Sequence, residues 1–139
     1  MEPLHVAHLV VLGIWLGVVI TEMLFEFTAS DAESLRAAAR FHYNVDKYGE
    51  LPILIAVLVT GTILTVRAWP LTPLHFIKIA TSLVAVGAAL ICVLWVFQRR
   101  QIEDVEVLLG FRRRIWTLAT IAAVFATPAI YIGLAYFRE

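Results

Sequence analysis

The sequence predicts an all-α integral membrane protein, a four-helix bundle with both termini on the outer side. Three observations carry that reading. The 139-residue chain is 61% hydrophobic, with a mean hydropathy of +0.86, a balance that belongs to polytopic membrane proteins rather than soluble domains. The apolar residues gather into four runs, Leu4 to Phe27, Leu51 to Val66, Leu74 to Phe97 and Ile115 to Phe137, most of them near the roughly 20 residues that cross a hydrocarbon core. The basic residues between the runs are unevenly shared. One side holds Arg36, Arg40, Lys47, Arg99, Arg100, Arg112, Arg113 and Arg114, the other only Arg67, Lys78 and Arg138. Excess positive charge marks the cytoplasmic side, so both termini face outward.

The first run has no basic stretch before it and no small-residue cleavage signal after it, and its end carries Thr21, Glu22 and Glu26. It reads as a retained helix, not a signal peptide. Ser30-x-x-Glu33 has the spacing of a capping box, and no proline follows until Pro52. The second helix therefore starts before the membrane and runs to about Arg67. Its apolar part is only 16 residues, so spanning draws about one more turn from HYNVDKYGE and takes Glu50 to bilayer depth. Pro52 withholds a backbone N–H and kinks the helix near Tyr48, with Gly49 loosening the same turn.

Trp69-Pro70-Leu71-Thr72-Pro73 reads as a tight outer turn. Trp69 on one side, with Trp95 and Trp116 on the other, suits interfacial belts. The segment from Gln101 to Gly110 places Ile102, Val105, Leu108 and Leu109 at helical spacing among acids, and reads as a cytoplasmic amphipathic turn before the fourth helix. Pro128 kinks that helix. Ala85, Gly87, Ala88 and Ala89 permit close packing in the bundle or against a second copy. The whole chain, 1–139, forms one domain.

A formal net charge of zero argues against nucleic acid as a partner. The single cysteine, Cys92, excludes an intramolecular disulfide and reads as a small core residue. No phosphate-cradling loop and no Ser/His/Asp or Cys/His signature is present, so the residues name no catalytic group.

Chemistry concentrates at the cytoplasmic end of the first two spans. His42, Asp46 and Glu50 recur every four residues on one slowly drifting helix face, as do Glu22 and Glu26 on the first helix. Glu22 lies 18 residues beyond Leu4, about 27 Å along an α-helix, so the two faces meet at similar depth. Acids at bilayer depth are costly unless paired, protonated or coordinated. Glu22, Glu26, His42, Asp46 and Glu50 are the candidate metal ligands. Carboxylates with one imidazole suit iron, manganese or zinc, whereas copper(I) asks for several Cys or Met and the chain has Met1 and Met23 alone. The Glu-x-x-His spacing of two-metal bundles is missing. A proton relay through the acids and a structural polar network, with Lys47 neutralising an acid, are the alternatives.

Histidines gather at the other end. His5 and His8 open the first helix, and His75 and Lys78 open the third. His8 and His75 could serve as an axial pair for haem b, the alternative cofactor. Lys78 snorkels outward or offsets an acid.

LHVAHLVVLGIWLG, LHFIKIATSLV and FRRRIWTLATIAAVFATP together resemble the small tetraspan group of HemJ-type protoporphyrinogen oxidases and CopD-like copper-resistance domains, over nearly the whole chain. The resemblance implies a multi-pass protein of the bacterial inner (cytoplasmic) membrane with a haem or metal function, and carries over His8 and Lys78. The chain differs from the HemJ-type pattern at TEMLFEF, which supplies acids. The expectation is a membrane metal-binding protein, with oxidoreductase chemistry on a lipid-soluble substrate if it is an enzyme. Against it stand a haem-binding electron carrier or porphyrin oxidase, and a non-catalytic subunit beside a membrane partner.

Overall fold

The computed structural model describes residues 2–136; Phe137 and Arg138, which figured in the fourth run and in the charge balance, lie outside them. Five helices run in chain order: α1 (Pro3–Thr28), α2 (Ala32–Val45), α3 (Leu51–Arg67), α4 (Pro73–Arg99) and α5 (Val105–Tyr136). A π turn, Asp46–Glu50, joins α2 to α3, so Ala32–Arg67 is one 36-residue rod. Four helices are then long and apolar enough to cross a membrane. Their lipid-compatible surface is direct: only 6% of the most apolar stretch of α1 is buried within the protein, and Val10, Ile14, Ile20 and Leu24 point outward. Four such helices are compatible with a multi-pass membrane bundle.

Local chemistry sets the helix starts. The second rod is capped by Asp31, not Ser30: the Ser34 N–H donates to the Asp31 carboxylate at 2.7 Å, and the Asp31 N–H donates back to the Ser34 hydroxyl at 3.0 Å. A side chain one residue along does the capping because the shorter Asp31/Ser34 pair closes both bonds. Helix α4 begins with Pro73 at its first position, where the missing N–H costs nothing. Asp104 caps α5, accepting from the Glu106 N–H at 2.9 Å. The separate amphipathic turn expected over Gln101 to Gly110 is thus absorbed into α5 from Val105 onward. Ile102, Val105 and Leu108 cover Leu35, Ala38 and Ala39 of α2, while Leu109 is exposed.

Packing uses small residues, as expected where lipid removes the hydrophobic drive between helices. The pairs α1 with α3 and α4 with α5 are the main neighbours. All four spans meet around Trp15, which is buried against Leu54, Ala85, Ala89, Ala122 and Ala126. The alanine-rich stripe of α4 therefore serves the bundle itself. Cys92 packs with Val96 and Ile115 one layer further on. Glu2 meets Arg67, and the Lys78 amine lies against Gly133, so the start of α1 and the last turns of α5 lie at one end of the bundle. Trp69 is exposed there and Trp116 is partly exposed toward the other end.

Candidate metal centre

The five candidate ligands converge. Glu22 and Glu26 lie one turn apart on the inner face of α1, His42 on the last turn of α2, and Asp46 and Glu50 at the two ends of the π turn, all buried. The turn is a consequence of sequence: Pro52 has no N–H to offer, and the Leu51 N–H reaches back five residues to the Asp46 carbonyl. In a regular α-helix residues four apart drift forward around the axis. One wider turn offsets that drift and keeps Asp46 and Glu50 on the face that carries His42.

His42 is held from behind. Its Nδ1 lies 2.8 Å from Glu26 Oε1 and 2.9 Å from Arg99 Nη2, which leaves Nε2 directed at Glu22 Oε2, 3.4 Å away, and Asp46 Oδ1, 3.5 Å away. The last two separations are longer than hydrogen bonds. Glu22, His42 and Asp46 each present one ligand atom within 4.8 Å of the others. Asp46 is 0% exposed, and neither of its carboxylate oxygens, nor Glu22 Oε1, has a hydrogen-bond partner among the described residues. A space of about 20 Å³ beside them is bounded by Trp15, Glu22, His42, Glu50 and Cys92, enough for one small guest since a water occupies at least ~10–15 Å³ by the same measure. Glu50 closes the group from the bundle centre, accepting from the Trp15 indole N–H at 2.9 Å.

One residue of this site escaped the sequence. Arg99, 1% exposed at the end of α4, grips Glu26 with both terminal nitrogens: Nη1 donates to Oε2 at 3.1 Å, and Nη2 to Oε1. Its position among Gln98, Arg99 and Arg100 reads as a membrane-end charge. The signal was nevertheless present, because Ala85, Ala89, Cys92, Val96 and Arg99 step by four and three along one helix face. Arg99 takes the role foreseen for Lys47, which is instead exposed with its amine 5.0 Å from the Tyr48 ring centroid. Arg112 donates to the Ala29 carbonyl at 2.8 Å, completing the end of α1.

Glu26 is therefore tied up by Arg99 and His42, while Glu22 and Glu50 line the small space and Asp46 is buried beside Glu22 and His42. Four carboxylates share one guanidinium, so the rest of their charge needs a cation or protons.

At the chain-termini end, His8, His75 and Lys78 line a second cavity of about 740 Å³ whose deep wall is Trp15. His8 Nδ1 is 2.7 Å from Thr60 Oγ1. His75 Nδ1 is engaged with Thr72, accepting from its N–H at 3.2 Å to cap α4, so one nitrogen of the proposed axial partner is occupied.

Compared with protein-family models, with curated proteins and with solved structures, the chain matches none.

Proposed function

We propose that this is an integral membrane metal-binding protein whose ion is held by His42 Nε2, Glu22 and Asp46, with Glu50 beside them. The observation that carries it is Asp46, fully buried with both oxygens unpartnered, next to an imidazole nitrogen and a second carboxylate at ligand spacing. Unpaired buried carboxylate oxygens are among the costliest groups a protein can hold, and one cation satisfies all of them at once. Glu26 then acts as the group that fixes the tautomer and orientation of the ligating imidazole, a recurrent partner of metal-bound histidine. Nitrogen and oxygen donors without thiolate favour iron, manganese or zinc. The excess of arginines at that end supports a centre on the cytoplasmic side, and the resemblance to HemJ-type and CopD-like tetraspans, which implies a bacterial inner membrane, favours redox over hydrolytic chemistry.

The test is elemental metal content per chain of the detergent-purified protein, wild type beside Asp46→Asn. Near-stoichiometric metal that is lost in the variant supports the reading. Metal absent from wild type sinks it and leaves protonated acids, a relay or a structural network, as the account of the cluster.

A further inference from the structure

The larger cavity, at the chain-termini end, holds a hydrogen bond whose direction is fixed by its neighbours. The Thr60 hydroxyl lies 2.7 Å from the Ala56 carbonyl oxygen and 3.3 Å from that of Val57. A carbonyl only accepts, so the hydroxyl proton is turned toward the backbone of α3. His8 Nδ1 is also 2.7 Å from Thr60 Oγ1. The proton in that contact comes from the imidazole, and His8 Nδ1–H donates to Thr60. In the neutral ring Nε2 then carries a lone pair and no hydrogen, and it has no hydrogen-bond partner among the described residues.

The next residue of α3 keeps the ring seated. A Cβ at Gly61 would lie 3.3 Å from His8 Cε1 and 3.9 Å from Nε2, the first distance being tighter than ordinary carbon contact. Thr60 holds one ring nitrogen, and Gly61 leaves room for the edge that carries the other.

His8 lines a cavity of about 740 Å³, walled by Leu12, Leu54, Val57, Val86 and Ile130 and floored by Trp15. Such a volume lies within the range of about 300–1,000 Å³ that encloses a single small ligand. Trp15 is on the same helix, about 10 Å deeper than His8, a gap that one aromatic ring and its substituents span. An acceptor set among apolar walls selects a molecule with a proton to donate and an otherwise apolar body. An ionised carboxylate would set lone pairs against the Nε2 lone pair. Among hydroxyl donors a phenol makes the stronger bond, because its proton is more acidic than that of an alcohol, and its ring suits the indole below. We infer that this cavity binds a neutral lipid-soluble phenol, hydroquinones included, whose hydroxyl donates to His8 Nε2. The site does not depend on the ion at the opposite end.

The experiment uses the full chain in nanodiscs of zwitterionic lipid at neutral pH, its histidines labelled with heavy nitrogen, and follows the ring nitrogens by magnetic resonance. The His8 signals are those lost in His8→Leu. They are expected to show a hydrogen on Nδ1 and none on Nε2, and the Nε2 signal should move saturably as para-heptylphenol is added. The methyl ether of that phenol should leave the signal in place and displace the phenol about fivefold less well, the loss of one neutral hydrogen bond. Gly61→Val should abolish the movement by crowding the ring, and the comparison of phenol with ether in wild type carries the test if that variant does not fold.

A hydrogen on Nε2 in the free protein would overturn the proposal, as would a signal that never saturates. An ether that displaces the phenol at equal concentration would show that the hydroxyl is not read and that apolar filling alone holds the guest. A Soret band lost in His8→Leu would assign Nε2 to haem iron instead.

Discussion

At the scale of single residues, the centre separates into groups that would hold an ion and groups that hold those groups. His42→Ala should abolish metal, whereas Glu26→Gln should weaken it by about 10–100-fold, the usual effect of losing a partner behind a ligating histidine; competition with a chelator of known affinity measures both. Glu50→Ala is also expected to lower bound metal, and unchanged content would remove Glu50 from the set. Arg99→Ala leaves Glu26 buried without its counter-charge and should cost about 3–5 kcal/mol, with the Glu26→Gln/Arg99→Met double variant recovering much of it; unfolding in mixed detergent reports the cycle. Lys47→Gln should change neither property. The acids were legible in the sequence because membrane depth makes a carboxylate conspicuous. Arg99 was not, since an arginine at a span end already has an ordinary explanation in topology.

Among the elements, the π turn and the Asp31 cap make separate predictions. Deleting Gly49 should return Asp46–Glu50 to α-helical register and swing the α2 face relative to α3, keeping helical content by circular dichroism while metal is lost. If metal survives that deletion, the wide turn has no part in the centre. The Ser34 N–H bonded to Asp31 holds that carboxyl below its usual value. A depressed folded-state value stabilises above the unfolded pKa of about 3.9 and is lost as pH falls through the lower folded one. Asp31→Ala should therefore destabilise the start of α2 at neutral pH and lose its effect in acid, with Asp31→Asn milder throughout; amide exchange over residues 32–36 follows it. The four spans were readable from run length alone. The π turn was not, because the four-residue spacing of His42, Asp46 and Glu50 fits an α-helix as well, and only the bond from Leu51 to Asp46 distinguishes them.

For the whole molecule, an ion held at the proposed centre would link binding to folding. A ligand at about 100 times its Kd stabilises the folded state by about 2.7 kcal/mol, so adding chelator should lower the unfolding temperature of wild type and leave Asp46→Asn unmoved. Equal shifts in both would place the metal elsewhere. The bundle also explains why the cavity lining could not be read in advance. His8, Lys78 and Trp15 were each noticeable, but their enclosure of one space depends on how α3 and α5 lean, and Gly61 and Gly133 carry no spacing signal.

All five acid and imidazole groups sit on the first helical hairpin, and the arginine that pairs with Glu26 arrives only at the end of α4. The hairpin is thus made as an incomplete ionic set, and its transfer into lipid before Arg99 is made would be costly unless protons or an ion neutralised it. Nascent chains ending before Arg99 should insert more readily when metal is supplied, which makes the order of translation, as well as the finished bundle, a determinant of how the centre is filled.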